Sequence, residues 1–519
     1  MEVTRAASAE LGKLSLRAAE LARNGRHGEA VEAWERLRRR APDNAGVAAG
    51  LGAALLGASR YKEASDWLAA SCERHPKDPF LLRLQAHALL RLRERRPAIG
   101  ALFTALDLDP AAVQTHADLG RALYLDGASA AAFAHASVAF KADPSVENAS
   151  TLTSIMLDLG RRDDALVVVA RALAAGADRS ATLVLKSLVL QFLDRDAEAI
   201  AAAREAVVQA PGSSYARHNL AAALLLHGEL TAEAWALYES RAGFLNMQTW
   251  PNPGRCWTGG DIAGRTVLVH AEQGLGDTLQ FVRYVPMVVA RGARVMLAVQ
   301  PALVRLLQGT PGAEAVVPSG GALPDFDLYC PLLSLPGLFG TTLATIPPPL
   351  PYAIRFEPEP RDQRLQVGLV WAGNPDFIED RRRSIDPALL APLGDVSGVT
   401  FHNLQFGCDR LPIGGMRDAM HGVANFAETA SRISNLDLVI AADTSVAHLA
   451  ATMGKQVWLL ARHQGCWRWL LEREDTPWYP TMRIYRQDRS NDWSKLILRV
   501  SDDLARLASS SAEVRTLAA

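Results

Sequence analysis

The 519-residue sequence predicts an α-helical solenoid followed by two α/β domains. Three observations lead to this prediction. Prolines recur at intervals of 34 residues in the first half, and an alanine stands 12 residues before each of them. The helical period stops after Arg241, at a segment rich in Pro, Gly and Trp. Beyond that segment, short apolar runs of strand length alternate with amphipathic helical segments, as they do in parallel-sheet domains.

The period of the first half is that of the tetratricopeptide repeat, whose unit is a helical hairpin. Small residues and leucines recur in register with the prolines, where the two helices of a hairpin approach closely. A degenerate repeat with Ala165 and Ala172 precedes the last proline, so we predict about seven stacked repeats over residues 1–241. The recurring residues are Pro42, Pro76, Pro110, Pro144 and Pro211; Ala30, Ala64, Ala98, Ala132 and Ala199; Ala18, Gly52, Ala86, Gly120 and Ser187; and Leu21, Leu55, Leu89, Leu123 and Leu190.

A stack of such repeats typically presents a surface that binds a partner protein or an extended peptide. A scaffold or a dimerisation arm, and hence a homo-oligomer, is the alternative use of the same surface. Both uses need the same stacked hairpins, so the repeat pattern is compatible with each.

Composition argues against several functional classes. Lys+Arg 55 and Asp+Glu 56 nearly cancel, so the chain lacks the basic excess that nucleic acids or anionic membranes recruit. The five cysteines contain no Cys-x-x-Cys pair, and we expect neither a disulfide framework nor a metal site. No stretch reaches the roughly 18 apolar residues of a membrane span. The N-terminal segment lacks the apolar core of a signal peptide, and the cytoplasm is the expected compartment.

Two α/β domains are predicted after the repeats, at residues 242–355 and 356–519, with the proline-dense segment 346–351 near their boundary. Because ligands of parallel sheets bind at the carboxyl ends of the strands, we expect the ligand in a cleft between these domains. The predicted elements are strands Thr266–His270, Val295–Val299, Val367–Trp371, Thr400–Leu404, Leu436–Ala441 and Val457–Leu460, and helices Asp277–Ala290, Phe426–Ser434 and Trp493–Leu507.

The first candidate loop joins the first predicted strand of this region to its helix. Two glycines permit a tight turn and a close approach of a ligand to the backbone, and an aspartate stands at an N-cap position. A dinucleotide-binding fingerprint would need a third glycine, which is absent. A glycine turn capped by the aspartate is one interpretation, and a general base facing the cleft is the other. The candidate residues are Glu272, Gln273, Gly274, Gly276 and Asp277.

The second candidate loop lies between the strand Leu436–Ala441 and the helix that follows it. Its hydroxyls can cap that helix, and the free N–H groups and dipole of the helix start favour a phosphate. A histidine one helical turn further on can reach the same anion. A capped helix with a packed histidine is the alternative. The candidate residues are Asp443, Thr444, Ser445, Val446, Ala447 and His448.

Two further segments carry candidate binding groups. Asn374 follows the strand Val367–Trp371 and can read a sugar or base edge, while Arg381 to Arg383 with Ser384 can pair with a pyrophosphate. A solvated run of surface charge is the alternative. The aromatic segment from Trp467 to Trp469 suits either stacking on a sugar or base, or packing at a domain junction.

From Trp257 to about Arg486, the order of these pieces resembles the glycosyltransferases related to the bacterial heptosyltransferases (family 9). It is especially similar to the members that carry N-terminal tetratricopeptide repeats. The layout is also similar to that of the O-GlcNAc transferases and of some bacterial flagellin glycosyltransferases. The matching segments are Glu272-Gln-Gly-Leu-Gly-Asp277, Val370-Trp-Ala-Gly-Asn374-Pro, Arg383-Ser-Ile, Leu404-Gln405, Asp443-Thr-Ser-Val-Ala-His448 and Trp467-Arg-Trp-Leu.

The resemblance implies a GT-B fold with two Rossmann-like domains, the first on the acceptor side and the second binding the nucleotide sugar. It implies a metal-independent, inverting transfer in which Asp277 deprotonates the acceptor. It also implies that the segment Thr444 to His448 holds the donor diphosphate. Asn374, Arg383, Ser384 and Gln405 are further donor-binding candidates in the matching segments.

The sequence therefore predicts a protein glycosyltransferase whose repeats dock a protein acceptor and whose α/β domains bind a nucleotide sugar as substrate. The resemblance to repeat-bearing transferases suggests flagellin or another surface protein as this acceptor. No other cofactor is expected. A transferase acting on a lipid-linked glycan or a small saccharide is one alternative. A repeat adaptor whose transferase domain no longer turns over is the other.

Overall fold

The computed structural model describes residues 2–245, 252–354, 356, 361–375, 377, 380–408, 410–488 and 492–518, with side chains from residue 12 to residue 510. Part of the Trp-rich connector after Arg241 and part of the second domain boundary, residues 246–251, 355 and 357–360, lie outside the described residues. The chain divides into two compact units, Met1–Gln209 and Ala210–Ala519. Within the described ranges, no helix is long and apolar enough to cross a membrane.

The described part of the first unit consists of twelve α-helices that pair consecutively into six hairpins. Side-chain caps begin several of them; Asn44 accepts a hydrogen bond from Val47 N, and Asp78 accepts from Leu81 N. The helices are α1 (Glu2–Arg23), α2 (His27–Arg40), α3 (Ala45–Gly57), α4 (Tyr61–Arg74), α5 (Pro79–Arg91), α6 (Arg95–Leu108), α7 (Val113–Leu125), α8 (Ser129–Ala142), α9 (Val146–Asp158), α10 (Arg162–Ala174), α11 (Arg179–Phe192) and α12 (Asp196–Gln209).

The small residues predicted at helix contacts are buried where the helices meet. Five repeated alanines, Ala30, Ala64, Ala98, Ala132 and Ala199, have no solvent exposure. A side chain on Gly120 of α7 would lie 2.9 Å from the backbone nitrogen of Ala136 in α8. Small residues therefore recur in the sequence at the positions where the two helices of a hairpin lie closest to each other.

The second unit begins with a further hairpin, α13 (Ser214–Leu226) and α14 (Ala232–Tyr238), followed by the short helix α15 (Arg241–Phe244). A parallel four-stranded sheet comes next, in the order β3-β2-β1-β4. Its strands are β1 (Thr266–His270), β2 (Arg294–Val299), β3 (Ala313–Pro318) and β4 (Leu328–Pro331), and its helices are α16 (Leu275–Phe281), α17 (Val285–Val289), α18 (Val304–Leu307) and α19 (Leu335–Leu338).

The predicted helix Asp277–Ala290 is broken in the structure. It divides into α16, a 3-10 turn from Val282 to Tyr284, and α17. Pro286 explains the break, because it cannot donate a helical hydrogen bond to Val282 and its ring crowds that carbonyl. The interruption turns the chain shortly after the first candidate loop.

A second parallel sheet, of six strands, has the order β10-β9-β8-β5-β6-β7. The first strand of this sheet, β5, lies at its centre and is fully buried, as expected of a parallel sheet covered by helices on both faces. Its strands are β5 (Leu365–Val370), β6 (Val399–Asn403), β7 (Arg417–Asp418), β8 (Leu438–Ala442), β9 (Gln456–Ala461) and β10 (Met482–Arg486), and its helices are α20 (Asp380–Arg383), α21 (Ala391–Gly394), α22 (Phe426–Ser434), α23 (Ser445–Thr452) and α24 (Trp493–Ala518).

Two glycines in the repeats give opposite predictions for the same substitution. Gly120→Ala should lower the free energy of unfolding of the helical unit by about 1–3 kcal/mol, because the new methyl group meets the backbone of α8. Gly100→Ala should raise it by about 0.5–1 kcal/mol, because Gly100 lies within α6 with open space around it. Urea unfolding followed by far-UV circular dichroism measures both, and equal shifts in the two variants would contradict the packing argument.

Candidate active site

Four candidate segments follow the carboxyl ends of strands in the second unit. The loop from Glu272 to Asp277 comes after β1, residues 371–374 after β5, Gln405 after β6, and Asp443 with Thr444 after β8. In the second sheet, β6 and β7 lie on one side of β5, whereas β8, β9 and β10 lie on the other. The loops after β5 and β8 therefore diverge, and an open parallel sheet forms its ligand crevice at such a point.

The loop after β5 is held by Ser384, the residue that follows α20, and Ser384 is in turn bound by Asp380 of α20. Gly373 N donates to Ser384 Oγ at 3.0 Å, and Ser384 Oγ donates to Asp380 at 2.9 Å. Asp380 also accepts from Arg383 Nε at 2.9 Å, and Arg383 Nη1 reaches the backbone oxygen of Asp443 at 3.1 Å. Asp380, which is not among the predicted residues, thus binds the predicted Arg383 and Ser384, and Arg383 in turn contacts the predicted Asp443.

Gln405, which follows the neighbouring strand β6, fixes the same loop. Its Oε1 atom accepts hydrogen bonds from Ala372 N at 2.9 Å and from Trp371 N at 3.3 Å. Asn374 follows these residues in the loop, and its backbone oxygen accepts from Phe377 N at 3.0 Å. Gln405 therefore holds the backbone of Trp371 and Ala372 in place at the edge of the crevice.

The start of α23 carries an unused polar group. Thr444 is the N-cap residue, but its side chain makes no capping hydrogen bond, and its buried Oγ1 atom has no partner. By contrast, Thr231 and Asn425 accept hydrogen bonds from the first turns of their own helices. An N-terminus with free N–H groups and an unsatisfied hydroxyl is suited to an anion. The predicted Ser445, Val446 and Ala447 form the first turn of this helix.

Asp277 is the third residue of α16 and is already engaged on both carboxylate oxygens. Oδ2 accepts from Gly274 N at 2.9 Å, and Oδ1 forms an ion pair with Arg468. Arg468 is buried and also donates to Gln280 Oε1 at 2.8 Å. Burial is the largest influence on Arg468 and opposes its charge, but Asp277, Cys466 and Tyr238 together outweigh burial and raise the pKa of Arg468. The side chain of Asp277 remains 20% exposed, so one side of the carboxylate is open to solvent.

His448 packs α23 against α16. Its Nδ1 atom lies 2.9 Å from Tyr479 Oη, and its ring centroid lies 5.1 Å from that of Trp469. Burial, with smaller contributions from Arg468 and Arg283, holds the pKa of His448 well below its usual value. The side chain is therefore neutral at physiological pH and contributes no positive charge to the start of the helix.

Gly276 permits this close contact. A side chain at Gly276 would lie 2.7 Å from His448 Cδ2, so the glycine serves helix packing here. The prediction that Gly276 lets a ligand approach the backbone is thus replaced by a role in helix packing. The contact brings the helix that carries Asp277 directly against the helix that begins after Thr444. The candidate base and the candidate anion site therefore lie on two helices in contact.

Glu272 and Gln273 hold the first loop in place. Glu272 is buried and accepts from Arg241 Nη2 at 2.8 Å and from Leu333 N at 3.0 Å. Arg241 is also buried and bonds to Glu239 at 2.7 Å. Gln273 offers its backbone oxygen to Gln300 Nε2 at 2.8 Å. These contacts connect the loop after β1 to α14 and α15. The carboxylate of Glu272 is occupied by them and is not available to a ligand.

The aromatic segment Trp467 to Trp469 is buried. The ring of Trp467 lies 5.8 Å from the rings of Trp235, Tyr238 and Trp478. Of the two interpretations of this segment, packing at a junction agrees with these contacts. Two charged residues gain a role that the sequence did not predict: Asp380 precedes the run Arg381 to Arg383, and Arg468 lies within the aromatic segment Trp467 to Trp469. Both are buried, and burial is not visible in a sequence.

Replacing Arg241 tests the buried charge network. Arg241→Met should lower the free energy of unfolding of the second unit by about 3–5 kcal/mol, because it leaves Glu272 buried without its partner. The double variant Arg241→Met/Glu272→Gln should recover part of this loss. Arg26→Met, which removes an exposed ion pair with Glu29, is the control and should leave stability unchanged. Denaturant unfolding monitored by tryptophan fluorescence measures the effect, and a fully stable Arg241→Met protein would contradict it.

Comparison with known proteins identifies the repeats. Residues 16–79 match the tetratricopeptide repeat family. Protein FlbA of Caulobacter vibrioides is 26% identical over 514 residues, which cover 83% of this chain and 85% of that protein. The first half of the chain is thus a tetratricopeptide solenoid, and it is followed by a parallel-sheet α/β region.

Two of the solved structures that are similar to this chain share little sequence identity with it. A tetratricopeptide repeat protein from Parabacteroides merdae is 14% identical, with a TM-score of 0.38, and the match covers 45% of this chain and 92% of that chain. A chain of the APC/C hetero-tetramer Cut9-Hcn1 is 17% identical, with a TM-score of 0.37 and coverage of 45% and 46%. This chain therefore spans less than half of the Cut9-Hcn1 chain that it matches.

Proposed function

We propose that this protein is a glycosyltransferase of the GT-B type that moves a sugar from a nucleotide-sugar donor to a hydroxyl group of a protein acceptor. The unpartnered Thr444 Oγ1 atom at the start of α23 carries the proposal. It lies after β8, beside the point where the order of the second sheet reverses. A diphosphate is the ligand that a helix N-terminus at such a crevice favours.

The donor would bind along the carboxyl ends of β6, β5 and β8. Its diphosphate would accept hydrogen bonds from Thr444 and the first turn of α23. The guanidinium of Arg383, which contacts the backbone oxygen of Asp443 at 3.1 Å, would supply positive charge nearby. Asn374 and Gln405 belong to the loops beside it, where the sugar or the base would lie.

The chemical step would be a direct displacement at the anomeric carbon. Asp277 would take the proton of the acceptor hydroxyl, and the acceptor oxygen would form the new bond to the anomeric carbon. The bond between that carbon and the diphosphate oxygen would break, and its electron pair would leave with the nucleoside diphosphate. Arg468 would orient Asp277 for this step, because its ion pair and the hydrogen bond from Gly274 N fix the position of the carboxylate.

The repeats support a protein acceptor. Stacked tetratricopeptide hairpins present extended surfaces that bind polypeptides, and this chain carries them ahead of the α/β region. Flagellin or another surface protein is our proposed acceptor, on the resemblance to repeat-bearing transferases. Incubation with a radiolabelled nucleotide sugar and separate counting of the protein and lipid fractions would distinguish this acceptor from a lipid-linked glycan.

A non-catalytic adaptor is the second candidate function, because one observation favours it. Both carboxylate oxygens of Asp277 already have partners, Gly274 N and Arg468, so an acceptor hydroxyl would have to displace one of them before Asp277 could take its proton. An adaptor of this kind would bind a nucleotide without turning it over. Binding and transfer must therefore be measured separately.

The anion site predicts a selective effect of Thr444→Val. Among UDP, GDP and ADP, at least one should bind the wild-type protein in calorimetric titration, and the variant should bind it about tenfold more weakly, equivalent to about 1.4 kcal/mol. The stability of the variant should be unchanged, because Thr444 makes no capping bond in the protein alone.

Thr231→Val is the matched control for this experiment. Thr231 caps α14 through Ala234 N, so its loss should cost about 1 kcal/mol of stability but no nucleotide affinity. Equal nucleotide affinities of the wild-type protein and Thr444→Val would contradict the anion site. The anion site would also be contradicted if the wild-type protein bound none of UDP, GDP and ADP at millimolar concentration.

If Asp277 is the base, replacing it should lower the rate of sugar transfer but leave nucleotide binding nearly unchanged. Asp277→Asn keeps an acceptor for Gly274 N but removes the basic oxygen, so transfer should fall by a factor of about 10² to 10⁴. The affinity for the nucleotide should change less than threefold, since Asp277 does not belong to the helix that starts after Thr444. Unchanged turnover would remove Asp277 as the base, and donor binding without turnover in the wild-type protein would favour the adaptor.

A further inference from the structure

The first unit contains a cavity of about 240 Å³ among α3, α4, α5 and α7. The first helices of successive repeats contribute most of its wall, and such helices form the binding surface of a repeat stack. Its lining combines apolar, aromatic and basic side chains, and none of them is acidic. The six lining residues are Leu56, Tyr61, His87, Leu90, Arg91 and Arg121.

Two arginines give the cavity an uncompensated positive charge. Arg91 and Arg121 are both exposed, and within the described residues neither forms an ion pair with a carboxylate. The buried carboxylate next to the cavity, Asp118, is paired with Arg83, which does not line the cavity, and with His87, which does. It accepts from Arg83 at 2.9 and 3.0 Å and lies 3.0 Å from His87 Nε2. Asp118 therefore does not neutralise either arginine of the cavity wall.

Arg91 is held in position before any ligand binds. Its Nη2 atom donates to Tyr61 Oη, and its guanidinium carbon lies 4.5 Å from the centroid of the Tyr61 ring. These contacts orient the guanidinium but do not neutralise its charge, because Tyr61 is an uncharged partner. A group that is already ordered loses less conformational entropy when it binds a ligand, so this arrangement favours recognition of an anion.

We propose that this cavity binds an internal acidic side chain of an extended peptide, with apolar residues on either side of the acid. The carboxylate would pair with Arg91 and Arg121, and the apolar neighbours would contact Leu56 and Leu90, which are half-buried. The proposal specifies the docking role of the repeats given above and does not depend on glycosyl transfer. Charge complementarity selects the acid, and the leucines select a peptide over an inorganic anion.

Selection from a library of random dodecapeptides displayed on phage, with the full chain as bait, tests the proposal. Peptides recovered by the wild-type protein should be enriched in Asp or Glu next to Leu, Ile, Val or Phe. The double variant Arg91→Gln/Arg121→Gln should lose this enrichment. The variant Arg36→Gln is the control, since Arg36 is 76% exposed on α2 and does not line the cavity.

The recovered consensus is then synthesised with a fluorescein label and an amidated C-terminus. In fluorescence anisotropy, replacing its acid by the corresponding amide should weaken binding at least tenfold, and Arg91→Gln and Arg121→Gln should each weaken it at least fivefold. Raising the salt concentration should weaken it further. Circular dichroism of the variants checks that the helices are intact.

Three outcomes would overturn the proposal. The first is a wild-type selection without acidic enrichment, and the second is equal affinity for the acidic and amide peptides. The third is binding that requires a free C-terminal carboxylate, which would assign the cavity to a chain terminus. None of these assays contains a nucleotide sugar, so their failure is distinguishable from failure of the proposed transferase activity.

Discussion

The contact between α16 and α23 determines how the candidate groups of the second unit are arranged. Gly276 allows the two helices to approach until its Cα faces the edge of the His448 ring. Asp277 follows Gly276, and Thr444 precedes α23, so one packing contact relates the candidate base to the candidate anion site. Any side chain at position 276 would separate the helices and disturb both sites. His448 stays neutral within this contact, which removes the cost of burying a charge there.

Two buried arginines hold the surroundings of this contact. Arg468 joins the segment after β9 to Asp277, and Arg241 joins α15 to Glu272 in the loop after β1. Each guanidinium is buried, and each is matched by a carboxylate from another part of the chain. A buried ion pair contributes little net stability, but the loss of one partner is costly, so such pairs favour one arrangement of the elements over others. The hairpin α13–α14 is thereby connected to the first sheet.

The candidate residues of the second sheet depend on a second, smaller network. Asp380 binds both Arg383 and Ser384, and Gln405 binds the backbone after β5. Sequence reasoning selected Arg383, Ser384 and Gln405 but omitted Asp380, because an aspartate beside a run of arginines resembles an exposed charge cluster. The same reasoning predicted most of the strands to within two residues, since buried strands are continuous apolar runs. It extended the helix after Gly276 too far, because it underestimated the effect of Pro286.

The sequence by itself determined the repeated hairpins, the change to parallel-sheet structure and the loops at the carboxyl ends of the strands. These features depend on neighbours within a few tens of residues, and their periods and small residues are visible in the chain. Only the tertiary structure decided the partners of Asp277, Glu272 and His448. Those partners come from distant segments, such as Arg468, which lies 191 residues after Asp277. Burial and pairing of charges arise when such segments pack together, so no local pattern could specify them.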